Sequence, residues 1–181
     1  MNGMFKFLIF GCAWALVLLI TNVACSQDAS HDKYWFSAGA GKSQFPSGML
    51  AVGYEFKNNP THLVARYTIN TQIFSDIQPN IRVSEIGLLY GIGMGKFRFS
   101  TGLSGVWGTN RGKYLYSDPD PLIYGSTYYE PVKYTTIGLP AEIRFITSSK
   151  DVGIGVTGFG NWNAKRSFVG LNLSVYVGRM K

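Results

Sequence analysis

The sequence predicts an all-β protein: a closed, antiparallel, eight-stranded transmembrane β-barrel arranged as an up-and-down meander. Two observations lead to this fold class. From residue 34 to residue 180, runs of roughly ten residues alternate bulky apolar side chains with glycine or small polar ones, and Gly, Pro, Asn, Asp and Ser separate the runs. Every lysine after residue 30 lies at a run end or in a turn. A soluble sheet spreads such charges over its polar face, whereas a barrel in lipid does not.

The N-terminal segment predicts export. Lys6 precedes an apolar run over residues 7–20, which is too short for a comfortable transmembrane helix. Cleavage after Ser26 places small residues at the positions that a signal peptidase reads. We therefore predict a signal peptide over 1–26 and an N-terminal tail over 27–33, followed by one barrel domain over 34–181.

Both cysteines fall in the predicted leader. Lipidation at Cys25 is the alternative form of processing, although Asn22 stands where lipidation signals usually carry leucine. The other cysteine is Cys12, so the barrel domain is expected to have no disulfide and no cysteine-based metal site. The chain carries a net charge of +7. Its basic residues are scattered among turns, which favours contact with anionic lipid headgroups over nucleic-acid binding.

The eight strands are predicted in order from the alternating runs. They cover residues 34–42, 48–56, 62–74, 82–94, 96–108, 132–146, 152–163 and 167–180. Tilted strands of this length can cross a bilayer, and the sheet must close because hydrocarbon leaves no partner for a free edge. A tight reversal is predicted near Gly95. The segment 109–131 is predicted as one long loop, and the other connections are short.

The alternation assigns the two faces of the sheet. Leu88, Ile137 and Val175 belong to the alternating set of bulky apolar residues, and we predict that the side chains of this set face lipid. The opposite parity is rich in glycine, serine, threonine and asparagine, which suit the narrow interior of an eight-stranded barrel. Phe56, Phe97 and Phe145 are predicted to face outward beside turns at one membrane interface. A soluble ligand-binding barrel is the alternative, and it requires the opposite arrangement of faces.

Six charged residues lie inside runs, all on the inward parity. They are Glu55, Arg66, Glu85, Arg98, Glu142 and Arg144. Unpaired charge in so narrow an interior is costly, so we predict a charge network across the lumen. Glu85 is placed nearer the outer end than the other five. The network is interpreted as a permanent structural plug, with a gate or narrow ion path as the alternative.

The long loop is the predicted binding surface. Its candidate contact residues are Arg111, Lys113, Tyr114, Tyr116, Tyr124, Tyr128 and Tyr129. Tyrosine and arginine are favoured in binding surfaces. Membrane barrels have short periplasmic turns and longer external loops, and an even strand number puts both termini on one side. Segment 109–131 is therefore predicted to be external, with both termini in the periplasm.

No enzymatic motif is evident. His31 lies in the N-terminal tail, and His62 begins a strand on the predicted periplasmic side next to Leu63. Lipid-modifying barrel enzymes would need a histidine with serine or carboxylate partners near the external surface. Both histidines are therefore interpreted as solvated loop or strand-end residues. No cofactor and no metal are expected.

Taken together, these sequence features resemble those of a known protein family. The leader, the eight alternating runs, the segment Gly138-Leu139-Pro140 and the closing run over 170–177 are similar to the small eight-stranded outer-membrane β-barrel proteins. These include the OmpA-like and OmpX-like barrels and the outer membrane protein beta-barrel domain group of the Bacteroidetes. Members usually end the last strand with an aromatic residue, whereas this chain reads Gly-Arg-Met-Lys over 178–181.

The resemblance implies a location and partners. It implies the outer membrane of a Gram-negative bacterium, with lipid, lipopolysaccharide and the barrel-assembly machinery as partners. The function predicted is a non-enzymatic structural or surface-interaction role through 109–131. A small-solute pore is the alternative, and a lipid-modifying enzyme or a soluble periplasmic barrel are weaker ones.

Overall fold

The computed structural model describes residues 32–57, 59–73, 75–118, 127–149 and 151–180. Within these ranges the chain forms nine β-strands: β1 Lys33–Lys42, β2 Pro46–Glu55, β3 Thr61–Thr71, β4 Ile77–Gln78, β5 Arg82–Met94, β6 Phe97–Ser117, β7 Thr127–Ser148, β8 Val152–Asn163 and β9 Phe168–Arg179. No helix in this part of the chain is long and apolar enough to cross a membrane. The predicted signal peptide and Cys25 lie outside the described residues.

The eight long strands close into a barrel. Each long strand pairs antiparallel with the next one along the chain, and β9 pairs back onto β1, as in the register pair Ala38 and Val175. This confirms the predicted eight-stranded meander. We call the end where β1 begins and β9 ends the proximal rim, and the opposite end, at the β6–β7 hairpin, the distal rim.

One predicted connection is wrong. Segment 109–131 is not one loop, because β6 continues to Ser117 and β7 begins at Thr127, so that both strands extend past the barrel wall. Tyrosine, threonine and valine favour strands, and the cross-strand tyrosine pairs described below stabilise the extension. The short connection between β3 and β5 contains the two-residue strand β4, which pairs parallel with the start of β7.

The apolar face points outward. Leu88, Ile137 and Val175 are 57%, 76% and 52% exposed, respectively. On the inward parity lie buried polar residues such as Thr68 and Asn172. This arrangement confirms the predicted faces and contradicts the soluble ligand-binding alternative, which requires an apolar interior and a polar exterior.

Large rings also occupy the lumen. Trp35, Phe159, Phe168 and Tyr176 are buried there, although most inward positions carry small residues. A Cβ at the inward Gly53 would overlap the indole of Trp35, so this glycine leaves the space that the ring fills. Glycine on one strand therefore admits a large side chain from the next strand.

The tight reversal at Gly95 is present as predicted. Met94 pairs with Phe97, so Gly95 and Lys96 form a two-residue turn between β5 and β6. Gly95 has φ of 60°, in the left-handed region that glycine enters without steric cost.

Candidate functional site

The strands bring four of the six interior charges into one buried network. Arg66 on β3 donates from Nη2 to both carboxylate oxygens of Glu85 on β5, at 2.8 and 2.9 Å, and from Nη1 to Glu142 on β7 at 3.0 Å. Arg144 donates to Glu142 from Nε at 2.6 Å and from Nη2 at 2.9 Å. The side chains of all four residues are fully buried. Two cations and two carboxylates thus neutralise one another across the barrel.

Neutral groups complete this charge network. Arg144 also donates to Ser37 Oγ at 3.3 Å and to the Tyr176 hydroxyl at 3.4 Å, and its guanidinium lies 4.8 Å from the ring centroid of Trp35. Asn161 Nδ2 donates to Glu85 at 2.9 Å. Each ionised group is therefore held by several partners, which is the condition under which buried charge is tolerated, while Arg66 Nε is buried without a hydrogen-bond partner among the described residues.

Glu85 belongs to the same network as the other buried charges. The sequence analysis placed Glu85 nearer the outer end of the barrel than the other five charged residues. Its bidentate contact with Arg66 spans that separation because a long arginine side chain can reach along the lumen. Arg66 is paired in register with Gly87, and a Cβ at Gly87 would lie 3.4 Å from Glu85 Oε1.

The remaining two charges form a separate pair near the proximal rim. Arg98 donates to Glu55 from Nε at 2.8 Å and from Nη2 at 3.1 Å. These side chains are 12% and 16% exposed, so they meet some solvent. Arg98 Nη1 also donates to the carbonyl oxygen of Gly95 at 2.6 Å, which ties the pair to the β5–β6 turn.

Apolar clusters close the lumen around the charge network. Toward the proximal rim the cluster consists of Trp35, Ala51, Val64, Leu89, Ile146, Tyr176 and Met180. Toward the distal rim it consists of Met49, Val83, Val106, Phe159 and Phe168, with Tyr134 packed against it. The described part of the interior is a packed core with a charged centre.

His62 differs from its sequence-based interpretation. It was expected to be solvated, but it is buried in the lumen, and its Nε2 lies 2.7 Å from Ser100 Oγ. His62 is in register with Gly91, which is itself in register with Ser100. The His62 imidazole extends over Gly91, which has no side chain, and so reaches Ser100 on the second strand along the sheet. The pair was not predicted from the sequence, because His62 and Ser100 are 38 residues apart in the chain and meet only through strand pairing.

The extended β6–β7 hairpin carries a tyrosine ladder. Tyr116 and Tyr128 stack with ring centroids 4.6 Å apart, and Tyr114 meets Tyr129 edge-on at 5.8 Å. Tyr114, Tyr116 and the neighbouring Lys113 are exposed. Tyr124 lies outside the described residues. The structure thus places four of the predicted tyrosines together on one projecting hairpin.

Arg111 has an internal role that its assignment to the binding surface did not anticipate. Its Nη2 donates to Gln72 Oε1 and to the Ile77 carbonyl, both at 2.7 Å, and its Nε donates to the Pro79 carbonyl at 3.1 Å. Partial burial lowers the pKa of Arg111, although a guanidinium stays protonated. Arg111 therefore anchors the β3–β5 connection to the base of the hairpin and is not free to bind a partner.

The described residues contain no group of three or more His, Cys, Asp or Glu side chains that could hold a metal ion. They do hold the buried His62–Ser100 pair and the charge network, whose ionised groups are all engaged with one another.

Comparison with known proteins shows the fold. A major outer membrane protein of Thermus thermophilus superposes with a TM-score of 0.59 and 11% identity, over 82% of this chain and 99% of that chain. The Yersinia pestis outer membrane protein Ail, in a phospholipid bilayer nanodisc, superposes with a TM-score of 0.53 and 11% identity, again over 82% and 99%. No protein-family model and no curated protein matches the sequence. At this identity the likeness establishes an outer-membrane β-barrel fold.

Proposed function

We propose that this protein is a non-enzymatic outer-membrane barrel whose lumen is a structural plug and whose recognition surface is the β6–β7 hairpin. The observation that carries the proposal is the tyrosine ladder, which projects past the wall of a barrel with a packed interior. Tyrosine offers broad contact area at low entropic cost.

The outward face supports a membrane location. It presents apolar residues along the strands. The described lysines lie at strand ends, in turns or, for Lys113 and Lys133, in the parts of β6 and β7 at or beyond the distal rim. Lysine or arginine on the lipid face of a barrel costs about 2–4 kcal/mol at the bilayer midplane and much less near the interfaces. Phe97 and Phe145, with ring centroids 5.1 Å apart at the proximal rim, suit an aromatic girdle at one interface.

The proposal includes export and orientation. The predicted signal peptide over 1–26, or processing at Cys25, would deliver the chain to the periplasm. The proximal rim, with its short turns, then faces the periplasm, and the hairpin faces the outside. In this orientation the barrel contacts membrane lipid and lipopolysaccharide, and the barrel-assembly machinery inserts it.

The packed interior favours a structural barrel over a small-solute pore. The charge network spans β3, β5 and β7, and apolar clusters lie on both sides of it. An eight-stranded barrel has an interior only just wide enough for its own side chains. A stable water path would require the Arg66 and Glu142 side chains to separate in a low-dielectric space.

The test is removal of the hairpin without disturbing the barrel. Arg111 pairs in register with Pro131, so residues 113–129 can be replaced by a two-residue Asn-Gly turn between Gly112 and Glu130 that keeps this register. The Arg111 contacts with the β3–β5 connection remain in this variant. As a control, a Tyr90→Ser variant alters a tyrosine on the lipid-facing part of the wall.

Both variants are expected to fold, as judged by heat-modifiable migration on gels and resistance to carbonate extraction from membranes. Adhesion of expressing cells to host proteins, glycans and other bacteria, screened with the wild type, is expected to be lost only in the shortened variant. Protease added to intact cells is expected to cut the wild-type hairpin. Adhesion that survives the replacement, or a hairpin that protease cannot reach, would contradict the proposal.

A further inference from the structure

A cavity of about 330 Å³ opens at the proximal rim, away from the tyrosine ladder. Lys33, Trp35, Glu55, Lys96, Arg98 and Met180 are among the residues that line it. The ends of β1, β2, β7 and β9 and the β5–β6 turn meet here, so the closure of the barrel assembles the site from residues far apart in sequence. Its volume is in the range of small-ligand pockets.

The charges around this cavity are unbalanced. Glu55 is held by two hydrogen bonds from Arg98, and Arg98 is fixed further by the Gly95 carbonyl. Lys33 and Lys96 make no ion pair with any described residue. Two ammonium groups are therefore available at the cavity, while its carboxylate is already neutralised.

Trp35 forms part of the inner wall of this cavity. The residue is 1% exposed, and its Nε1 is buried without a hydrogen-bond partner among the described residues. Its ring lies 4.8 Å from the Arg144 guanidinium and meets Tyr176 in a T-shaped contact with centroids 5.3 Å apart. The indole is therefore fixed beside the cavity and is not itself open to a ligand there.

We propose that this proximal cavity binds a small oxygen anion, a phosphate or carboxylate group. The free charged groups at the site are two cations, Lys33 and Lys96, and lysine binds phosphate as a point charge. Ile146 and Met180 form an apolar wall that suits a short organic substituent on the anion. The anion comes either from a free solute or from the headgroup of an anionic phospholipid in the adjacent leaflet.

The indole of Trp35 provides a local readout because its ring forms part of the cavity wall. Labelled protein in phosphatidylcholine nanodiscs is titrated with inorganic phosphate and then with acetate, at ionic strength held constant with chloride, while indole N–H resonances are recorded by NMR. We expect a saturable shift of the Trp35 resonance. The outward-facing Trp107 and Trp162 are expected to stay unchanged.

Charge variants test the role of the lysines. Lys33→Gln with Lys96→Gln is expected to weaken binding about tenfold, because each partly solvated charge contributes modestly. Lys57→Gln with Lys133→Gln removes the same net charge outside the cavity and is expected to bind like the wild type. Heat-modifiable migration verifies that both double variants are folded.

The lipid arm repeats the spectra in nanodiscs that contain phosphatidylglycerol. A shifted Trp35 resonance before any titration, insensitive to added phosphate, identifies the lipid headgroup as the source. An unshifted resonance that still responds to phosphate identifies a free solute. The proposal is overturned if the shift does not saturate, if the Trp35, Trp107 and Trp162 indoles move together, or if the Lys33 and Lys96 variant binds as tightly as the wild type.

Discussion

Replacing Glu142 with alanine should destabilise the barrel strongly. This carboxylate accepts one hydrogen bond from Arg66 and two from Arg144, and all three side chains are fully buried. After the replacement, Arg66 still has the bidentate contact with Glu85, whereas Arg144 has no carboxylate. Its remaining partners are Ser37, Tyr176 and Met49, which are neutral.

The expected loss of stability follows from the Arg144 guanidinium, which would remain buried without a carboxylate partner. Removing one partner of a buried ion pair costs about 3–5 kcal/mol, because the other charge stays in a low-dielectric environment. We expect Glu142→Ala to lower the free energy of unfolding by about 3 kcal/mol, the low end of that range, because only one of the two arginines loses its carboxylate.

Two further variants distinguish this explanation from a general loss of packing. Glu55→Ala also breaks a carboxylate–arginine pair, but that pair is partly solvated at the proximal rim, so a cost of about 0.2–1 kcal/mol is expected. Combining Glu142→Gln with Arg144→Met removes both charges and leaves Arg66 with Glu85. This double variant is expected to recover most of the lost stability, since an apolar replacement of a buried pair is often neutral.

The assay is urea unfolding of protein folded into phosphocholine vesicles, followed by tryptophan fluorescence and by heat-modifiable migration. The expected order of stability is wild type, then Glu55→Ala, then Glu142→Ala, with the double variant above Glu142→Ala. The reasoning is refuted if Glu142→Ala unfolds with the wild type, or if Glu55→Ala costs more than Glu142→Ala.

Conductance, strand packing and protease cleavage provide three other tests of the same structure. Purified protein in planar bilayers should show at most rare, small conductance events, and reproducible single-channel steps would favour the pore. Gly91→Ala should cost about 1–3 kcal/mol, because its Cβ would overlap the Phe99 carbonyl, whereas Gly105→Ala, with Ile86 Cγ2 at 4.0 Å, should stay within about 0.5 kcal/mol in the same urea assay. Arg111→Ala should speed protease cleavage of the β3–β5 connection in the folded protein, and an unchanged cleavage rate would show that Arg111 does not anchor it.

Much of the barrel wall was predictable because strand signals are local. The bounds of β5 and β8 agree with the sequence-based ranges, and the parity of Leu88, Ile137 and Val175 was sufficient to assign the outward face. The side-chain period of a strand is two, so one apolar run reveals its face without knowledge of its neighbours. The alternation likewise identified the interior charges as inward.

The extended hairpin was less predictable. Charged residues and glycine between Thr109 and Pro131 indicated a loop, but the cross-strand stacking of Tyr116 on Tyr128 stabilises strands there. That contact exists only after the two segments pair, so its contribution is absent from either segment alone.

The fold class, the two faces of the sheet and the inward position of the charges follow from local patterns in the sequence. Which groups meet depends on the tertiary structure: Arg66 with both Glu85 and Glu142, His62 with Ser100 across Gly91, and Trp35 with Lys33 and Lys96 around the proximal cavity. These contacts depend on the register between strands and on the closure of the sheet. The alternation of apolar and small residues along a strand shows only whether each side chain faces inward or outward. The height of a side chain in the lumen is set by the pairing of its strand with the neighbouring strands.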